Sequence, residues 1–173
     1  CSKTPFELDE KGISLVPVNN LAFRPFLCLF GPNAIQRRCV AIMDSDSGGT
    51  PLQAREVKEN ATVQSLRLEF EKLELAPYIR ITTNLKTLEY DLAIATTKGA
   101  EDNPKAPLLN EAVIIEALTE TPGVAKAKMP TKGTILDRRI LGEKVVELIG
   151  DKHKGRFAQV LARKIGKGFQ IPP

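Results

Sequence analysis

CVAIMDSDSGG, residues 39–49, decides how this chain is read. Its first five residues form a short, nearly continuous apolar run, the pattern of a strand buried on both faces of a parallel sheet. The run passes directly into Asp44-Ser45-Asp46, so two acids stand at the carboxyl end of the strand, where open α/β sheets collect ligands. Their like charges repel, and a cation between them relieves that cost. Carboxylate oxygens without a neighbouring His or Cys suit Mg2+ or Mn2+ rather than zinc. A metal-free polar turn has the same composition, so Asp44-x-Asp46 needs support from elsewhere in the chain.

Upstream, residues 12–18 (GISLVPV) repeat the buried-strand pattern and end at the turn-forming pair Asn19-Asn20. Phe23, Phe26, Leu27 and Phe30 then recur at helical spacing across residues 21–30, with Pro25 near the start, where proline is tolerated, and Gly31-Pro32 as the stop. Strand, helix, strand is a βαβ unit. Downstream, Val63, Leu66, Leu68, Phe70 and Leu73 predict a helix over 61–75 that Pro77 closes, and residues 78–83 (YIRITT) predict a third strand. Thr87 then stands as the N-cap of a further helix. Right-handed crossovers place Glu89, just past the third strand, on the same sheet edge as the two aspartates. An acid in a first helical turn is also favoured by the helix dipole, so Glu89 alone carries no more than even weight. Asp91 is expected to cap or to face solvent.

Residues 98–107, with their Gly, Asp, Asn and two Pro, read as a linker. Helical periodicity alone follows: Leu109, Val113 or Ile114, and Ala117 or Leu118 within 108–119; Leu141, Val145, Leu148 and Ile149 within 139–149; then Phe157, Leu161 and Ile165. The expected organisation is an α/β part over residues 1–98 and a basic helical subdomain over 99–173. Charge divides similarly, since residues 1–125 hold 13 Lys/Arg against 17 Asp/Glu, whereas 126–173 hold 12 against 4. A net of +8 in the last stretch suits a phosphate backbone, although a solvated helical face has the same composition.

Three cysteines without CxxC spacing support neither a disulfide framework nor a zinc site, and Cys28 and Cys39 are expected to be small core residues. No apolar run reaches the ~20 residues of a membrane span and the first residues are too polar for a secretory signal, so a cytoplasmic protein with no membrane partner is expected. Walker A, GxGxxG and GxSxG patterns are absent. The cluster Lys152-His153-Lys154-Gly155-Arg156 precedes the Phe157 helix; cations at a helix start oppose the dipole, so a phosphate-binding role is one reading and a solvated basic turn the other. His153, the sole histidine, is expected at the surface.

Taken together, residues 12–18 with their Asn pair, CVAIM with Asp44-x-Asp46, the run TLEYDLA (87–93) and the run KGRFA (154–158) resemble the C-terminal TOPRIM region of OLD-family (overcoming lysogenization defect) nucleases. The resemblance spans nearly the whole chain, and TLEYDLA and KGRFA are far more specific than Asp-x-Asp. It implies a Rossmann-like TOPRIM core with a parallel sheet plus a C-terminal helical subdomain. It further implies two-metal, Mg2+- or Mn2+-dependent cleavage or nicking of DNA, and a parent chain whose N-terminal domain is an ABC-type ATPase. Carried over by residue, Asp44, Asp46, Thr87 and Glu89 would contact metal, Lys154 would stabilise charge on the phosphoryl group, and Lys152, Lys154 and Arg156 would meet DNA. TOPRIM regions open with a strand and a glutamate-bearing turn that nothing before Gly12 matches. Weak or no cleavage by this stretch alone is therefore expected.

Two rival readings stand beside it. A haloacid-dehalogenase-type phosphatase also places Asp-x-Asp after a strand, but two residues after the second Asp it carries Thr or Val, and here stands Gly48. A non-enzymatic nucleic-acid-binding module would leave the acids merely solvated.

Overall fold

The computed structural model describes residues 12–18, 24–72, 75, 77–166 and 169. Two parallel strands, β1 (Cys39–Met43) and β2 (Ile79–Thr83), pair in the register Cys39↔Ile79 to Met43↔Thr83. Helix α2 (Ala61–Lys72) connects them, so the βαβ unit joins the strands on either side of α2. Asn60 starts α2, its Oδ1 accepting the Val63 N–H at 3.0 Å. Val63, Leu66 and Phe70 then form one buried stripe against Ala41, Met43, Ile79 and Ile81. Leu27, the buried residue of the one-turn helix α1 (Arg24–Leu27), completes this core.

Only one face of the sheet is covered among the described residues. Val40 and Ile42 are 57% and 64% exposed, so the double-faced burial expected of β1 fails: only Ala41 and Met43 are buried, with Cys39 half-buried. Residues 12–18 correct the sequence reading more sharply: they form no strand, and Ile13, Leu15 and Val16 are exposed. An apolar run becomes a strand only where a ladder partner accepts it, and Pro17 removes one donor from any such ladder. The helix expected over 21–30 shrinks to α1, with residues 21–23 outside the described ones. Cys28 is exposed, because it follows a one-turn helix of which only Leu27 is buried, and Cys39 at the start of β1 is half-buried against the sheet core.

The second core lies among α3 (Leu88–Ile94), α4 (Glu111–Glu120) and α5 (Arg138–Lys164). Ile114, Ala117 and Leu118 of α4 pack with Leu141, Val145, Ile149, Phe157 and Leu161 of α5, while α3 contributes Leu92 and Ala93. Helix α5 is two helical segments joined at Gly150, whose φ of 45° and ψ of −173° suit glycine alone. Ile165 falls just beyond its end and is exposed. At Gly142 the α5 backbone lies so close to side chains of α3 that a Cβ would stand 2.5 Å from Tyr90 Cε2 and 2.8 Å from Ile94 Cγ2.

Arg138 fixes the stretch between α3 and α4. Its guanidinium is buried and donates from Nη1 to Ile94 O at 2.6 Å, from Nε to Asn103 O at 3.1 Å, and from Nη2 to Glu101 O. Residues 98–107 are therefore held to this cation through the Glu101 and Asn103 carbonyls, while the Ile94 carbonyl ties it to the end of α3. Among the described residues no helix is long and apolar enough to cross a membrane.

Candidate metal-binding rim

Because β1 and β2 are parallel, both release their chains at the same edge, and the loops that follow are knitted together there. Asn84 N–H donates to Met43 O at 3.1 Å and Asp46 N–H to Lys86 O at 3.2 Å. Within DSDS the alternation sorts the side chains. Ser45 and Ser47 turn inward, at 0% and 1% exposure, while Asp44 is half-buried and Asp46 exposed. The serines serve as ties: Ser45 Oγ donates to Leu85 O at 2.8 Å, and Ser47 Oγ accepts the Lys58 N–H at 3.0 Å. Asp46 adopts φ 47°, a left-handed conformation that Asp tolerates better than most side chains.

Asp44 links the two loops directly. Its Oδ1 accepts from Asn84 Nδ2 at 2.8 Å and from the Leu88 N–H at 3.2 Å, while its Oδ2 makes no protein hydrogen bond among the described residues. Glu89 follows the residue that donates to Asp44, so all three acids expected at the rim belong to the joined loops or the first turn of α3. None of Asp44, Asp46 and Glu89 forms an ion pair among the described residues. Lys86, the cation beside this edge, is committed instead to Glu143 of α5 at 2.7 Å and to Gly49 O at 3.0 Å. Its ammonium also lies 5.8 Å from the centroid of the Tyr90 ring.

Thr87 is the N-cap that the sequence predicts, its hydroxyl accepting the Tyr90 N–H at 3.3 Å. Asp91 corrects the reading that gave it capping or solvent duty: it is 7% exposed, and both its oxygens accept the Leu85 N–H, at 3.1 and 2.9 Å. Burial, with Asp44 as a smaller contributor, raises its pKa to about 6, against the lowering pull of the Leu85 and Lys86 backbone donors. Asn84, Lys86 and Asp91 thus belong to the rim without having been singled out for it by sequence. For Lys86 and Asn84 the available signal was position in the turn after β2.

The basic cluster lies elsewhere. Glu143 ties the first segment of α5 to the rim through Lys86, whereas Lys152, Lys154 and Arg156 stand beyond the Gly150 kink, roughly three turns further on. Lys154 pairs with Asp151 at 3.7 Å, and no hydrogen bond or ion pair among the described residues brings it to Asp44, Asp46 or Glu89. His153, expected at the surface, is half-buried against Gly123, and its Nδ1 has no hydrogen-bond partner.

Chemically the rim offers hard oxygen donors with no compensating cation. As they stand, no three His, Cys, Asp or Glu side chains among the described residues are grouped closely enough to hold a metal ion, so Asp46 or Glu89 would have to turn toward Asp44 for all to share one. A groove of about 1000 Å³ runs along β2 and α2 and reaches Leu85; it is lined by Glu59, Arg67 and Arg80 but by none of the three acids. Comparison with protein-family models, with curated proteins and with solved structures finds no match to this chain.

Proposed function

We propose that this chain is the metal-binding region of a divalent-metal-dependent DNA nuclease with a TOPRIM-type core, acting within a larger ATPase-nuclease. The observation that carries the reading is the unneutralised rim: Asp44, Asp46 and Glu89 belong to loops joined by the Asp44–Leu88 hydrogen bond, yet none has a cationic partner among the described residues. Folding tolerates unpaired like charges at one edge most readily when an ion completes them. Asp44 is suited to this by its two-sided carboxylate, with Oδ1 anchored by Asn84 and Leu88 and Oδ2 left for a ligand.

In this reading Asp44, Asp46 and Glu89 hold Mg2+ or Mn2+, and Thr87 sets the first turn of α3 from which Glu89 projects. When bound, such ions stabilise the charge that develops on a phosphodiester under attack by water. The protein's own part is positional: the serine ties fix the β1 loop, and Asp91 fixes the β2 loop from beneath. Lys154 has no hydrogen bond or ion pair with this rim among the described residues, so its part in the reading rests on the resemblance.

Isothermal titration with Mn2+ tests the proposal first. The chain is expected to bind at micromolar concentration, and Asp44→Asn or Glu89→Gln to weaken binding at least tenfold. Nicking of supercoiled DNA with Mg2+ or Mn2+ is expected to follow the same order among variants, at a low absolute rate. A chain that takes up no Mn2+ sinks the metal site and the nuclease with it. The non-enzymatic alternative has one observation in its favour, the hydrogen bonds that already occupy Asp44 Oδ1, and titration separates the two.

A further inference from the structure

Helix α5 carries eight Lys and Arg side chains, and five are already engaged. Arg138 serves the carbonyls described above, Arg139 pairs with Asp137, Lys144 with Glu147, Lys154 with Asp151, and Lys164 with both Glu116 and Glu120. Lys152, Arg156 and Arg163 are the remainder; each is exposed and forms no ion pair among the described residues. Their spacing puts them on one line. With Gln159, also exposed, they follow at i, i+4, i+7 and i+11, which at about 100° per residue confines all four to a sector of roughly 60°. Phe157 and Leu161, the core-facing residues of the same segment, lie outside that sector.

We propose that the stripe Lys152, Arg156, Gln159 and Arg163 on the second segment of α5 is a docking surface for the phosphate backbone of duplex DNA. Charge complementarity identifies the partner: three unneutralised cations lie along about 16 Å of helix, close to half a turn of B-form duplex. Two features narrow it further. A single strand is held largely by aromatic stacking, and no aromatic side chain lies on the stripe. A membrane-surface helix presents large apolar residues beside its cations, whereas the exposed neighbours here are Gly155, Ala158 and Ala162. Those small side chains let the helix backbone approach a phosphate rail closely. Lys154, grouped with Lys152 and Arg156 by sequence, drops out because it points to Asp151, and Arg163 takes its place. The inference rests on the proposed function only in its choice of DNA.

Fluorescence anisotropy with a labelled 20-base-pair duplex, in EDTA and across a salt series, is the test. The chain is expected to bind at low salt. Replacing Lys152, Arg156 and Arg163 together by Ala should lower the slope of log K against log salt by about 3 and weaken binding at least tenfold at 0.1 M salt. Arg156→Lys with Arg163→Lys should keep the slope, and Lys144→Ala with Lys164→Ala should change it by less than one. Thermal melts of all variants confirm that they fold. No duplex binding by the parent chain, an unchanged slope in the triple variant, or tighter binding to single strands or anionic vesicles than to duplex would each overturn the stripe. Because EDTA removes the metal, Asp44→Asn should bind duplex as the parent does. A parent chain that binds duplex through the stripe but neither takes up Mn2+ nor nicks DNA therefore counts against the nuclease alone.

Discussion

Glu59 gathers two partners, Arg67 and Thr83, around one carboxylate. Arg67 donates from Nη2 to Oε1 at 2.7 Å and from Nε to Oε2 at 3.0 Å, Thr83 Oγ1 donates at 3.1 Å, and Arg67 Nη1 continues to Ile81 O at 2.9 Å. The side chain thereby ties α2 and the loop before it to the end of β2. The hydrogen bond from Arg67 lowers the Glu59 pKa below its usual value, against the opposing effect of burial. A lowered folded-state value means that the network stabilises the fold above the unfolded pKa of about 4.3 and loses that contribution as pH falls through the folded value. Glu59→Gln is expected to cost about 1 kcal/mol at pH 7, a figure already reduced for the solvent that reaches this pair. Urea unfolding at pH 7 and at pH 3 checks it: the gap between parent and variant should close in acid, and an equal gap at both would refute the assignment. Nothing in the sequence marks Glu59 and Arg67 as partners, because they meet through the geometry of an N-terminal turn. Thr87 and Asp44-x-Asp46, by contrast, are legible: a cap and a strand-end acid pair are local features that neighbouring residues define.

At the scale of elements, strands and helices with a covered face were readable and the others were not. The stripe Val63, Leu66 and Phe70 and the pair of strands it covers follow from periodicity, since their burial partners lie within one βαβ unit. Residues 12–18 have equal strand propensity but no ladder partner among the described residues, so propensity alone misplaces them. The break in α5 at Gly150 falls where the periodicity over 139–149 ends, but the second segment resumes at once, so Lys152 to Arg156 lie within it and not in a turn before the Phe157 helix. Gly142 is the position where two elements constrain one another most tightly. Alanine normally favours a helix interior over glycine by about 1 kcal/mol. Here its methyl would enter the space of Tyr90 Cε2, at 2.5 Å, and Ile94 Cγ2, at 2.8 Å, and neither group is a loose surface end, since Tyr90 is 0% and Ile94 3% exposed. The clash should win, so Gly142→Ala is expected to lower unfolding stability by roughly 1–3 kcal/mol. Thermal or urea denaturation decides the matter, and a variant as stable as the parent would show that α3 and α5 sit further apart.

For the molecule as a whole, the unusual feature is a parallel sheet that the described residues clothe on one side. Parallel strands are generally apolar on both faces because helices cover both, and CVAIM keeps that composition while only Ala41 and Met43 are buried, with Cys39 half-buried against the same core. Val40 and Ile42 look outward at 57% and 64% exposure, and Leu15 and Val16 are likewise bare at 76% and 67%. If these surfaces meet water, Val40→Thr and Ile42→Thr remove little buried area and add a hydroxyl that solvent can satisfy. Each should then change unfolding stability by no more than about 0.5 kcal/mol, the ordinary range for surface substitutions, while the double variant resists aggregation at high concentration. If another surface covers this face in solution, the same changes would put an unsatisfied hydroxyl into an apolar contact and cost 1–3 kcal/mol apiece. Denaturation at two protein concentrations distinguishes these outcomes, because stability lent by a second copy rises with concentration and stability of a lone chain does not. A concentration-independent midpoint that shifts by less than the surface limit is the expected result. A large loss in either variant would mean that the exposed face of β1 is in truth an interior.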